Sequence, residues 1–428
     1  MKKIQKLTKT LFCALLTSTF VFSALGCNLG QVFQDVSSGL DNIFGDSDSS
    51  VNTDTHNTGD NSATGSDTGD TGNPDTDNTD TDGETSDTAT DSETSDTATG
   101  GEGSGEEEKL ADALSIHFLE LGNYYAGDCT LIDIGDTEIL IDAGSRKDSA
   151  TTIKKYVDEY CEDGVLEYVI ATHAHQDHIA AFVGNPSGGS YTGILYQYQI
   201  GTIIQFSKTN STSQIYNAYK TAVEYAKGKG ATVHTVLDCW NNANGAQRSY
   251  QLGDGITMNF LYQKYYETKT SDENDYSVCM LLTQDENNYL FTGDLEKDGE
   301  ASLVANNNLP KCKVYKGGHH GSKTSSTAAL LAAIQPEIVC VCCCAGTDEY
   351  TDNQANQFPT QDFIDRVAPY TDKVYVTTGK NNSMKMNGNI IVSCPDGKNV
   401  TVTGSNNSLI LKETAWFKAE RRMPDAWK

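Results

Sequence analysis

The sequence predicts an α/β chain in which two mixed β-sheets pack face to face with helices outside. Short runs rich in β-formers alternate with runs whose apolar residues recur at helical spacing, the two signals that separate strand from helix. That strand-then-helix order occurs twice along the chain, as two layered sheets would require. A histidine-rich turn at the end of one of these strands marks where chemistry would sit.

Taken in order, Ser115–Leu121, Cys129–Ile134 and Glu138–Asp142 read as strands, with Gly135-Asp136 as a hairpin turn. Ser149–Tyr160 reads as a helix and Leu166–Ala171 as a buried strand. The Gly/Pro/Asn/Ser stretch 184–190 is expected to be a loop beside the site. A strand at Ile200–Phe206, a helix at Ser213–Lys227 ended by Gly228 and Gly230, and a strand at Thr232–Leu237 follow. In the second half, Ile256–Tyr262, Tyr276–Leu282, Tyr289–Thr292, Cys312–Tyr315, Ile338–Cys344 and Lys373–Thr377 read as strands. Glu296–Asn306, Thr324–Ile334 and Gln361–Val367 read as helices. Asn389–Ser393 and Asn399–Thr403 form a last hairpin across Pro395-Asp396-Gly397. The tail 409–428, with Trp416, Phe417 and Trp427, fits either a packed segment or a surface arm.

The first 108 residues read differently. Lys2, Lys3, Lys6 and Lys9 precede an apolar run from Leu11 to Leu25, the pattern of an export signal over 1–26, too short to span a bilayer. It ends in Ser23-Ala24-Leu25-Gly26-Cys27, which resembles a bacterial lipobox; Cys27 would then be acylated and anchor the chain to a membrane without crossing it. From 46 to 108 there are 19 acids and no Lys or Arg. Such a stretch buries too little apolar surface to offset its ordering entropy, so residues 27–108 are expected to be a disordered acidic tether. Of the net charge of −28, residues 46–108 carry −19 and residues 1–45 carry +2, which leaves −11 for the folded domain expected over 109–428. A domain this acidic has no general attraction for phosphate backbones.

The 12 cysteines include Val339-Cys340-Val341-Cys342-Cys343-Cys344, which reads as a buried strand using cysteine as a small apolar residue. Cys340 and Cys343 have CxxC spacing, but on an extended strand they point to opposite faces. The remaining thiols are expected to be mostly free and buried.

Three of eight histidines fall in Thr172-His173-Ala174-His175-Gln176-Asp177-His178, directly after a strand. Imidazole with carboxylate is the donor mix that suits zinc, manganese or iron. Two later segments complete the pattern. Phe291-Thr292-Gly293-Asp294 ends a strand in one carboxylate, and Gly317-Gly318-His319-His320-Gly321-Ser322-Lys323 ends another in a glycine-flanked histidine pair.

Together these motifs resemble the metallo-β-lactamase superfamily, and most of all the hydrolase domain of ComEC-type competence proteins, over about residues 113–405. Ser115–Gly122, Gly127-Asp128, Ile139–Gly144 and Asn274–Val278 fit the same group. The resemblance implies an αββα sandwich with two divalent ions, zinc above manganese or iron, that make a water reactive. By position it implies His173 and His175 on one ion, Asp177, His178 and His320 on the other, and Asp294 between them. Asp177 would also orient the water or accept its proton; His319 would touch the substrate or support the ligands from behind, with its role and that of His320 open to exchange, and Lys323 would stabilise the developing charge or the leaving oxygen. Asp142 and Asp128 would orient ligands from behind. The chain departs from the pattern at Phe358-Pro359, where ComEC-type domains often show His-Pro, at Ala180-Ala181 in place of Gly-Gly, and at an insertion, Asn123–Ala126.

The function expected from this is a surface-anchored, metal-dependent phosphodiesterase or nuclease acting on DNA or on a wall or lipid-head-group polymer. A β-lactamase or lactonase, a phosphorylcholine esterase, and a binding protein that kept the fold are the competing readings. No obligate protein partner is evident.

Overall fold

A computed structural model describes residues 113–381 and 385–428. The expected export signal, the Cys27 lipid site and the acidic tether lie outside the described residues.

The first half runs β1 (Leu114–Phe118), β2 (Thr130–Ile134), β3 (Thr137–Ile141), α1 (Ser149–Val157), β4 (Val165–Ala171) and α2 (Gln176–Val183). A small hairpin, β5 (Pro186–Ser187) with β6 (Ser190–Tyr191), leads to α3 (Ile194–Gln197), β7 (Gln199–Gln205), α4 (Gln214–Gly228), β8 (Thr232–Thr235) and α5 (Val236–Asn241). The second half runs β9 (Ser249–Gly253), β10 (Ile256–Phe260), β11 (Met280–Gln284), β12 (Asn287–Phe291), α6 (Lys297–Asn306), β13 (Val314–Lys316) and α7 (Ala328–Ile334). It continues through β14 (Ile338–Ala345), α8 (Gln361–Val367) and β15 (Val374–Gly379). The chain closes with β16 (Ile390–Cys394), β17 (Thr401–Gly404) and α9 (Ala415–Glu420).

Two sheets result. One has the order β17-β16-β1-β2-β3-β4-β7-β8, the other β15-β14-β13-β12-β11-β10-β9. In each, antiparallel hairpin strands give way to parallel strands joined by helices: β3, β4, β7 and β8 in the first, β12 to β15 in the second. The final hairpin returns to the first sheet, where β16 pairs with β1. One apolar cluster joins the facing sides of both sheets, with Phe118 and Phe291 stacked at 6.3 Å across them. Helices cover the outer sides. In α4, Tyr219, Ala222, Val223 and Ala226 recur every three or four residues and form its buried stripe. Ser213 caps that helix by accepting from the Tyr216 N–H at 3.1 Å. This is the αββα sandwich that the resemblance implied.

All eight residues of β14 are buried. Cys340 and Cys342 lie in the cluster between the sheets, while Val339, Val341 and Cys343 lie in the one under the helices. Cys340 and Cys343 therefore stand on opposite faces, and all ten cysteines among the described residues are free and buried.

The structure departs from the expected elements where caps and turns intervene. The strand expected over Thr232–Leu237 ends at Thr235, because Thr235 and Asp238 form a reciprocal capping box that starts α5. Tyr276 lies in a 3-10 turn, Asn274–Tyr276, and the strand begins only at Met280. The helix expected from Thr324 begins at Ala328, after the Thr327 side chain caps it. α2, directly after the histidine turn, was not foreseen, nor was β9. The 184–190 stretch, expected as a loop beside the site, is mostly the exposed β5–β6 hairpin, whose hydrogen bonds link Asn185 to Thr192. The tail packs on the domain: Trp416, Phe417 and Trp427 are buried, and the Trp427 indole N–H donates to Thr371 O at 2.9 Å.

Candidate metal centre

The site forms at the carboxyl ends of β3, β4, β12 and β13, where loops leave the sheets and present side chains. At the end of β3, Asp142 takes a left-handed φ of 58° that turns the chain back. Its carboxylate accepts from the Thr172 N–H and the Thr172 hydroxyl, each at 2.7 Å. The strand ends of β3 and β4 are thereby clamped together. Ala143 N–H donates to His178 O and Asp128 N–H to Asp177 O, so the histidine turn is laced to both neighbouring loops. Gly144 is required there, because a Cβ would stand 1.6 Å from Asp177 O.

The turn after β4 carries His173 and His175, whose Nε2 and Nδ1 atoms approach to 3.0 Å. His175 is also the residue at which α2 starts, so Asp177 and His178 sit in that helix's first turn. His178 Nδ1 donates to Asp142 Oδ2 at 2.8 Å, which leaves Nε2 facing Asp294 Oδ2 at 3.0 Å. In the second half, Gly293 has a φ of 54° and no room for a Cβ beside Ser277 and Thr172. The Ser277 hydroxyl accepts from the Asp294 N–H at 3.1 Å and lies 3.4 Å from His173 Nδ1, tying the two halves at the site.

His319 and His320 both adopt left-handed backbone, φ 47° and 55°, a conformation non-glycine residues rarely hold outside functional turns. The consequence is that the two rings diverge. His320 is buried: its Nδ1 donates to Cys342 O at 2.9 Å, and its Nε2 faces Asp177 Oδ2 and Asp294 Oδ2, each at 3.2 Å. His319 points outward to Thr324 Oγ1 at 3.1 Å and Glu296 Oε1 at 3.2 Å.

Asp128, His178, Asp294 and His320 are buried and offer ligand atoms within 4.8 Å of one another. Asp128, however, lies behind the rings: its oxygens face His320 Nδ1 at 3.3 Å and His178 Nδ1 at 3.8 Å, not the Nε2 atoms. It pairs there with the buried ammonium of Lys316. Asp294 Oδ1 is buried with no hydrogen-bond partner among the described residues. A partnerless buried carboxylate oxygen among converging imidazole nitrogens is what a cation would satisfy, and the donor mix suits a divalent transition ion.

Electrostatics follow the same geometry. Burial disfavours charge on His178 and His320, yet the surrounding carboxylates, Asp294 foremost, outweigh it and hold both rings well above the ordinary histidine range. His173 is pushed well below that range by burial, reinforced by the His178 and His175 rings. Burial opposes ionisation of Asp294 and Asp177 too, but the neighbouring imidazoles hold both well below the usual carboxylate range. Asp294 and Asp177 are therefore held ionised at the centre.

The fold thus gathers His173, His175, Asp177, His178, Asp294 and His320, with Asp142 and Asp128 behind. It does not gather Lys323. That side chain is exposed and donates to Asn356 Oδ1 at 2.9 Å, because Arg366 holds the carbonyls of Lys323, Ser325 and Ser326 and turns the segment outward. The lysine at the site is Lys316, which no motif reading singled out. Glu296 and Tyr350 were also missed. Tyr350 donates its hydroxyl to Asp177 Oδ2 at 2.7 Å, from a loop far along the chain with no motif around it.

Residues 122–184 match the model of the metallo-beta-lactamase superfamily. Over those residues the chain is similar to this superfamily. It is 27% identical to Recombination protein 2 of Haemophilus influenzae over 217 residues, half of this chain and 23% of that protein. It is 40% identical to Competence protein ComA of Neisseria gonorrhoeae over 86 residues, 20% of this chain and 12% of that protein. The chain thus matches less than a quarter of the length of each of these ComEC-type relatives. Among solved structures, the metallo-beta-lactamase fold protein YhfI of Bacillus subtilis is 13% identical, with a TM-score of 0.32 over 63% of this chain and 87% of that one. No helix among the described residues is long and apolar enough to cross a membrane.

Proposed function

We propose that the chain is a metal-dependent phosphodiesterase, held at the outer face of a membrane by lipid on Cys27. The observation that carries the enzymatic part is the position of Asp294: Oδ2 lies between His178 Nε2 and His320 Nε2, and Oδ1 is left without a partner. His173 and His175 would hold one divalent ion, Asp177, His178 and His320 a second, with Asp294 shared; zinc suits the set, as do manganese and iron. Two such ions supply an acidified water and a clamp for an anionic transition state.

The protein's own residues do the rest. Asp142 fixes the His178 ring through Nδ1, and Cys342 O fixes His320 the same way, so both Nε2 atoms are aimed before anything binds. Asp177 sits at the rim of the buried centre, where its carboxylate can orient the attacking water. His319, partly exposed and oriented by Glu296 and Thr324, is placed to donate to a departing or non-bridging oxygen. The likeness of the Gly318–Lys323 segment to the ComEC-type motif supports a phosphodiester over a lactam bond.

The test is hydrolysis by the purified, zinc- or manganese-loaded protein. Turnover of bis(p-nitrophenyl) phosphate, lost in His175→Ala, supports the reading; turnover of nitrocefin instead would assign a lactamase. Metal uptake with no turnover of either would leave a binding protein that kept the fold. The anchor is tested separately by labelled fatty acid, which Cys27→Ser should no longer incorporate.

A further inference from the structure

The rim of the metal centre is built from two loops that share exposed aromatic side chains. Six large hydrophobic side chains are exposed among the described residues, and three of them, Tyr124, Tyr125 and Tyr350, lie on the loops 122–128 and 346–358. Glu349 locks these loops together. One of its oxygens accepts from the Ala126 N–H at 2.8 Å, the other from Arg146 Nη2 at 2.5 Å. The Arg146 guanidinium in turn lies 4.1 Å from the centre of the Tyr125 ring. Tyr350 follows Glu349 directly. Its ring packs on Phe358 with centroids 5.8 Å apart, and its hydroxyl is held by Asp177. Both its ends are therefore fixed, yet the residue remains 54% exposed, whereas His178, His320, Asp294 and Asp128 are buried.

We propose that Tyr350 determines specificity at this centre: its ring stacks on a flat aromatic group, such as a nucleoside base, carried on the side of the scissile phosphodiester away from the leaving group. The inference rests on the phosphodiesterase reading above. A preformed, exposed ring beside a buried anion-handling centre offers a stacking face at little entropic cost. The folded domain carries a net charge of about −11, so affinity would come from stacking more than from backbone phosphates. A quaternary ammonium group is the competing ligand class.

Three esters that all release p-nitrophenolate separate the possibilities: p-nitrophenyl thymidine-5′-phosphate, ethyl p-nitrophenyl phosphate and p-nitrophenylphosphorylcholine. With the metal-loaded full chain, kcat/KM should favour the thymidine ester over the ethyl ester by about ten- to a hundredfold, the range that one stacked base supplies. Tyr350→Leu should abolish that preference through KM. Tyr350→Phe should keep the preference while lowering kcat on all three esters alike, because only the bond to Asp177 is lost. An equal fall on the thymidine and ethyl esters in Tyr350→Leu would overturn the proposal, as would a preference for the choline ester that disappears with the ring. Calorimetric binding of thymidine 5′-monophosphate to wild type and Tyr350→Leu separates this inference from the reading beneath it. Ring-dependent binding without turnover keeps the stacking platform and removes the hydrolase; turnover without ring dependence does the reverse.

Discussion

The two halves of the sandwich use one plan and supply the centre differently. Each leads from antiparallel hairpins into parallel strands, and each delivers its polar side chains from the carboxyl ends of those strands. The first half concentrates His173, His175, Asp177 and His178 in one turn, where β4 passes directly into α2. The second half sends Asp294 from β12 and His320 from β13, with Lys316 behind them. A local turn can aim several donors by itself, since its geometry is set by adjacent backbone. Donors from separate strands are aimed only by pairing and packing, so the second half depends more on the tertiary structure being correct.

That contrast can be broken most sharply at Asp294. Replacing it with Ala should remove the carboxylate that both halves share and lower phosphodiester turnover by about a thousandfold or more. Bound metal, measured by mass spectrometry, should fall with it. Next in size is Lys316→Met, which leaves Asp128 ionised and buried without its partner. Stability to denaturant should fall by about 3–5 kcal/mol, and adding Asp128→Asn should restore most of it. Asp142→Asn tests the orienting groups of the first half: metal affinity or activity should drop about 10- to 100-fold with the fold retained by circular dichroism.

A smaller effect lies far from the centre, in the first half. Burial and the neighbouring Glu167 push the Glu138 carboxyl up to about 8 from its ordinary value. The folded state thus favours the neutral acid. Stability is highest below the unfolded pKa and declines as pH rises toward 8. Glu138→Gln should therefore raise the melting temperature at pH 8 more than at pH 5. An equal shift at both values would remove the titration from the account. Smallest of all, Lys323→Ala should change turnover less than twofold, since its ammonium is exposed and bound to Asn356. A large loss would return Lys323 to the site.

Much of this was legible in the residues. Periodicity located most strands and helices because each has one buried face and one exposed face, as α4 does with Tyr219, Ala222, Val223 and Ala226. It failed at Thr235, where a side-chain cap overrode β-propensity, and at the histidine turn, where the polar residues His175, Asp177 and His178 occupy the start of α2 and mask its apolar stripe.

The amino-acid order alone determined the layered fold and the identity of the polar residues at the strand ends, because alternation, spacing and glycine placement are local properties. Only the tertiary structure decided that His320 turns inward while His319 turns out, that Lys316 and not Lys323 meets the centre, and that Tyr350 reaches Asp177 from 173 positions away. Those choices depend on which strands pair and on which buried charges must find partners. Neither is written in any single stretch of the chain.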